Sequence, residues 1–124
     1  MNIDNPRVVA EITAMLDRYD LAIAANDLDA LDGMFWLSDK TLRYGPNGSL
    51  YGHAAISAFR HGRNIKGIER TRGHTVITTF GENGATANAE YNRPGFHGTS
   101  RQSQTWVRMP EGWRIVSAHV SDFA

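Results

Sequence analysis

The apolar pattern of this chain changes character once, near Glu69, and that change limits the fold more than any other feature. Before it, hydrophobic residues recur at three- and four-residue steps, the spacing of helices with one buried face. After it, β-branched and aromatic residues alternate with polar ones between glycine-rich turns, the spacing of strands. Helices first and strands later is the α+β order. Asn5-Pro6 reads as a helix start, with asparagine capping and proline in the first turn. Val8, Ile12, Met15, Leu16, Tyr19 and Ile23 then form one stripe, with Glu11, Asp17 and Arg18 off it. Asn26-Asp27 interrupts it, and Asp27 is placed to cap a short second helix carrying Leu28, Leu31, Met34 and Phe35. A short strand is expected over Thr41 to Tyr44, closed by Gly45-Pro46-Asn47-Gly48, and a third helix from Gly52 through Ala55, Ile56 and Phe59 to about Gly62.

Four strands are expected in the second half: Thr75 to Phe80, Ala85 to Tyr91, Arg101 to Met109 and Trp113 to Ser121. Together these predict a cone: three N-terminal helices laid across a strongly curved antiparallel sheet that encloses a pocket. Period-two alternation assigns the faces. Val116, Ala118 and Val120 are the apolar set of the last strand, opposite Ser117 and His119. Aligning Val107 with that set turns Arg101 and Ser103 into the cavity and sends Trp106 to the outer face, near Ile115. Apolar groups on both faces predict that a second subunit covers the outer one, giving a homodimer.

The chain has 124 residues, 41% hydrophobic and 21% charged, which is enough for one domain, 1–124, with its own core. Thirteen basic residues balance thirteen acidic ones, which argues against nucleic acid as a partner. No cysteine is present, which removes disulfides, thiolate nucleophiles and Cys-ligated metals. No apolar run reaches membrane-spanning length and the N-terminus lacks an export pattern, so a cytoplasmic protein that does not engage membranes is expected.

Few residues can carry chemistry. Arg43 lies between Leu42 and Tyr44 in a strand that should meet the helices; it is either an edge arginine in solvent or a pocket cation for a carboxylate or carbonyl oxygen. A close charge pair at an effective dielectric of about 20 is worth about 4 kcal/mol before desolvation, so such a pocket selects anions. Tyr19 faces inward, either as a core aromatic or as a proton donor inside the cavity. Arg101 and Ser103 are candidate ligand contacts, and Trp36 either lines the mouth or fills core. Arg63, Arg70 and Arg72 fall near turns and strand ends, where a solvated role is expected. His53, His61, His74, His97 and His119 show no metal-ligand spacing, and His119 reads as an interface or core residue rather than a base. No nucleophile elbow, phosphate loop or dinucleotide fingerprint occurs, so neither a metal nor a cofactor is expected. Phenol and cations without a nucleophile leave binding, proton donation or electrostatic stabilisation.

Several stretches resemble a known family. Met15-Leu16-Asp17-Arg18-Tyr19, Ala25-Asn26-Asp27-Leu28 and Leu31 through Phe35 are similar to the opening of the nuclear-transport-factor-two-like (SnoaL-like) superfamily. Phe35-Trp36, Thr41 through Gly45, Leu50-Tyr51-Gly52, Val76 through Gly81, Arg101 through Arg108 and Glu111 through Val116 resemble its AtzH/HpxZ group. Thr99-Ser100 and the loop Phe96-His97-Gly98 depart from that pattern. The resemblance implies a cofactor-independent decarboxylating amidohydrolase that converts 1,3-dicarboxyurea to allophanate in cyanuric acid (s-triazine) breakdown. HpxZ-like members are associated instead with oxalurate catabolism. It also implies a catalytic tyrosine and arginine, which fall on Tyr19 and Arg43, with Arg101 binding a second carboxylate of a small anionic substrate. Two other readings stand beside it: a carboxylate-binding or assembly domain without activity, and an isomerase of the ketosteroid type. The isomerase needs a carboxylate base about where this chain carries Arg43.

Overall fold

The computed structural model describes residues 1–63 and 65–123. Its elements run α1 (Pro6–Ala25), α2 (Leu28–Met34), β1 (Leu42–Gly45), β2 (Gly48–Tyr51), α3 (His53–Gly62), β3 (Thr71–Phe80), β4 (Gly84–Asn92), β5 (Thr99–Met109) and β6 (Gly112–Phe123). The helix starts are those the sequence signals. Asn5 Oδ1 accepts from the Arg7 amide at 3.0 Å and Asp27 Oδ1 from the Ala30 amide at 3.2 Å, each satisfying a donor that the first helical turn leaves free. Asn26 ends α1 in the left-handed region, with its amide bonded to the Ala22 and Ile23 carbonyls. The α1 stripe buries Val8, Ile12, Leu16, Tyr19, Ala22 and Ile23, while Met15 packs at its margin.

The six strands form one sheet in the order β2-β1-β6-β5-β4-β3. It is mixed rather than wholly antiparallel, because β1 runs parallel to β6. The helices lie on one face, and there Trp106, Ile115, Leu16, Ile12 and Leu31 are fully buried. No helix among the described residues is long and apolar enough to cross a membrane.

One irregularity decides which strand residues face the helices. Thr105 pairs with Ser117 but Trp106 pairs with Ile115, so Val116 is an extra residue, a β-bulge. The bulge reverses the alternation halfway along β6. Trp113 and Ile115 face inward before it, and Ala118 is again inward after it. Extrapolating one phase through the bulge inverts β5: Gln102, Gln104 and Trp106 are the buried set, and Arg101 and Ser103 are exposed on the outer face. Trp106 and Ile115 therefore belong to the core, and they no longer argue for a subunit covering the outside. The extra residue also bends the ladder, adding to the curvature that opens a hollow between sheet and helices. Register then places Arg43. It sits beside Ala118, which is 3% exposed on the inner face, whereas the next pair, Tyr44 and His119, looks outward. His119 is accordingly exposed, its ring against Tyr44.

Candidate anion-binding cavity

A cavity of about 90 Å³ opens between α1, the C-terminal end of α3 and the inner face of the sheet. Tyr19 and Ile23 come from α1, Phe59, Arg60 and Arg63 from α3 and its cap, Arg43 from β1, and Tyr91, Gln102 and Val120 from β4, β5 and β6. Arg70, Arg93 and Ser100 complete the polar part of the wall. Among the described residues the lining holds five arginines, Arg43, Arg60, Arg63, Arg70 and Arg93, and no carboxylate.

These cations fall into two groups. Arg70 pairs with Asp20 at 3.0 Å and Arg93 with Asp122 at 3.4 Å, so their charge is matched just behind the wall. Arg43, Arg60 and Arg63 have no carboxylate partner among the described residues. Arg60 is only 3% exposed. Three weaker interactions offset part of the penalty for burying it: its Nη2 donates to Tyr19 Oη at 3.2 Å, its guanidinium stacks 4.7 Å from the Phe35 ring centre, and it occupies the last turn of α3, where helix carbonyls favour positive charge. Arg43 and Arg63 both lean on Phe59, at 5.5 and 5.0 Å. Gly45 makes room for Arg43, since a Cβ there would come within 2.8 Å of Nη1.

Burial and crowded positive charge shift Arg43, Arg63 and Tyr19. Burial, then repulsion from Arg60 and Arg63, lowers the pKa of Arg43, although Tyr19 works to raise it. Burial and Arg60 likewise lower Arg63. For Tyr19, burial is the largest single influence and pushes its pKa up. The charges of Arg60, Arg70 and Arg43 and the Arg60 hydrogen bond together outweigh it, so the phenol ends below its ordinary value. Tyr91 moves the other way: burial raises it, Asp20 accepts its proton at 2.7 Å, and the nearby Arg70 does not compensate. The site thus holds a phenol that is more acidic than an ordinary tyrosine, with cations to receive an anion.

Of the residues singled out from sequence, Tyr19 and Arg43 share this cavity. Arg101 and Ser103 lie on the opposite sheet face, over a shallow surface hollow with His74 and Glu90. Trp36 lines neither; it borders an open groove with Leu37, His53 and Arg114. Arg63 and Arg70, expected in solvent, are cavity residues, and Arg72 is fixed to Asp17 at 2.7 Å and Asp20 at 2.8 Å. Sequence patterns did not single out Arg60 or Gln102. Arg60 had a readable signal, because it follows Ile56 by four residues and so continues the buried stripe of α3. Gln102 was hidden by the bulge.

No curated protein matches the chain. Solved structures do. A protein of unknown function from the DUF3225 family of Pectobacterium atrosepticum is 47% identical, with a TM-score of 0.95 over 98% of this chain and 95% of its own. A cystatin-like fold protein from Burkholderia xenovorans is 37% identical, with a TM-score of 0.95 over 100% of this chain and 98% of its own. A nuclear-transport-factor-two-like superfamily protein from Salmonella enterica is 30% identical, with a TM-score of 0.79 over 96% of this chain and 93% of its own. The AtzH-like family pattern matches residues 1–124. With that match running from end to end over a cone-shaped fold, the chain belongs to the AtzH-like family, within the nuclear-transport-factor-two-like superfamily.

Proposed function

We propose that the protein is a decarboxylating amidohydrolase that converts 1,3-dicarboxyurea to allophanate within the cavity, using Tyr19 and Arg43. The observation that carries this reading is the set Arg43, Arg60 and Arg63, three arginines gathered around a buried phenol; among the described residues they have no carboxylate partner and the cavity lining contains no acid. A partly buried positive cluster of this kind, with Arg60 almost fully enclosed, is unfavourable when empty and becomes favourable when a compact dianion supplies the missing charge. An isomerase of the ketosteroid type has no base here, because no Asp or Glu among the described residues lines the cavity.

Decarboxylation breaks the bond between nitrogen and one carboxylate carbon. Its electron pair passes to nitrogen and spreads onto the urea oxygen, carbon dioxide departs, and nitrogen takes up one proton. Hydration of the released carbon dioxide accounts for the water in the net hydrolysis. Arg43 helps by meeting the urea oxygen, where charge grows during the step; gripping the departing carboxylate would stabilise the starting state instead. Arg63, beside it on Phe59, takes the second carboxylate, the role expected from sequence for Arg101, which the fold turns away. Tyr19 delivers the proton to nitrogen.

The test is incubation with freshly generated 1,3-dicarboxyurea, with ammonia released through added allophanate hydrolase as the readout. Saturable release well above the spontaneous rate is expected. Saturable binding of the dianion with no release above background would leave a carboxylate-binding domain and overturn the enzyme reading.

A further inference from the structure

The contact between Arg60 and Tyr19 does more than line the cavity, and its role in the reaction rests on the proposal that Tyr19 is the proton donor. A phenolic hydrogen lies in the ring plane, on one of two sides of Oη. An arginine nitrogen can only donate, so Arg60 Nη2, 3.2 Å from Oη, takes a lone pair of that oxygen and the hydroxyl proton must turn away from it. The proton of Tyr19 is left the side facing away from Arg60. The same guanidinium sits about 5.9 Å from the tyrosine ring centre and is buried with no carboxylate partner among the described residues, so its charge acts on the phenol without a neighbouring acid to cancel it.

The other groups facing Tyr19 do not duplicate this. Arg43 on β1 and Arg63 at the end of α3 face it through space, without a hydrogen bond. Arg70, ahead of β3, lies about 5.9 Å from the ring and its charge also lowers the Tyr19 pKa, but it is paired with Asp20 and makes no hydrogen bond to Oη. Phe35, at the end of α2, is uncharged and packs against the ring at 6.4 Å.

We infer that Arg60 is a positioning residue that fixes the direction of the Tyr19 proton and makes that proton easier to release. In the reaction the proton leaves Oη for the substrate nitrogen, and its electron pair stays on Oη. Arg60 holds the resulting phenolate until solvent returns a proton. The low position of the Tyr19 pKa, to which Arg60 contributes both charge and hydrogen bond, agrees with this geometry.

Ultraviolet titration of tyrosinate tests it without any substrate. Subtracting the titration of Tyr19→Phe from that of the wild type isolates Tyr19 from Tyr44, Tyr51 and Tyr91. The expected midpoint lies below the ordinary value of 10.0. In Arg60→Met it should rise by roughly one pH unit or more, a tenfold fall in phenolate at fixed pH. Arg60→Lys, which keeps the charge, should recover part of the shift. A wild-type midpoint at or above 10.0, or an unmoved midpoint in Arg60→Met, overturns the inference. Should Arg60→Met fail to fold, the wild-type midpoint and Arg60→Lys still decide. If the wild type lacks turnover while Tyr19 titrates as expected, the assignment of Arg60 stands and the proposed reaction falls. If turnover is present and the midpoint does not move, the role of Arg60 falls alone.

Discussion

The two ends of the cavity contain the same kinds of groups and are built to opposite purposes. At one end Tyr91 donates to Asp20 at 2.7 Å, and Arg70 lies 3.7 Å from its ring centre while pairing with the same carboxylate. At the other, Tyr19 accepts from Arg60, and Arg43 and Arg63 stand near it. The difference is one acid. With Asp20 present, phenol and arginine form a closed set in which the tyrosine keeps its proton. Without a counterpart, the other set is open: its arginines repel one another and its tyrosine is the more acidic. A folded chain rarely leaves buried charge unmatched unless a ligand completes it.

The sharpest way to break the comparison is to remove a cation from the open end. Arg43→Met should lower turnover of 1,3-dicarboxyurea by about 100-fold or more, the usual effect of deleting one group that meets developing charge. The same substitution should leave the urea-denaturation midpoint unchanged or raise it, because it relieves the repulsion and desolvation that depress the Arg43 pKa. Loss of activity together with a large loss of stability would mean that Arg43 supports the fold rather than the reaction.

The closed end should respond in reverse. Asp20→Asn deletes the charge that Arg70 and Arg72 share and replaces one of the two oxygens that accept from Arg70, Arg72 and Tyr91 by an amide nitrogen that can only donate. Hydrogen bonds to a charged group contribute about 1.5 to 3 kcal/mol each, but they are coupled here, so a loss of about 2 to 3 kcal/mol in urea denaturation is expected. The Tyr91 titration should also move down, since Asp20 is one of the groups holding it up after burial. Unchanged stability in Asp20→Asn would show that this acid is not what sets the two ends apart.

A smaller effect is expected where the backbone only makes room. Gly45→Ala would put a methyl group within 2.8 Å of Arg43 Nη1, at the mobile end of a long side chain, so the guanidinium can shift aside at little cost. Turnover should fall by about tenfold, in line with the sensitivity of catalysis to small displacements, with stability nearly unchanged. Activity equal to the wild type would show that Arg43 tolerates displacement, and so that its position is not what the reaction depends on.

How much of the molecule is legible in its sequence depends on how local each signal is. The caps at Asn5 and Asp27 and the stripe carrying Tyr19 are decided within a few residues, and all are present as the sequence indicates. Arg43 could be nominated because its strand is short and flanked by apolar residues. Its inward direction depends on lying beside Ala118, seventy-five residues away, which no local pattern contains. The bulge at Val116 is likewise a property of two paired strands, invisible in either alone. That single extra residue exchanged the roles of Gln102 and Arg101 and placed Trp106 in the core. Arg60 was legible as a position on the α3 stripe, but a charged residue there is easily passed over as the fraying end of a helix.

The smallest expected effect tests that inversion directly. Arg101 and Ser103 carry polar groups of the kind an anion site uses, yet they stand on the outer face, where Arg101 rests 4.2 Å from the Phe123 ring centre. An exposed cation on that side is separated from the cavity by the sheet itself and screened by solvent. Arg101→Ala and Ser103→Ala should therefore leave turnover within about twofold of the wild type, as surface changes usually leave stability within about 0.5 kcal/mol. Gln102→Leu is the matched control from the same strand. It nearly preserves volume, removes the amide that reaches Tyr91 Oη at 3.4 Å, and changes the polarity of the cavity wall, so its KM should rise measurably. The reverse outcome, sensitivity at Arg101 and indifference at Gln102, would mean that the face toward solvent is the one that meets substrate, and the comparison between the two ends of the cavity would lose its bearing on function.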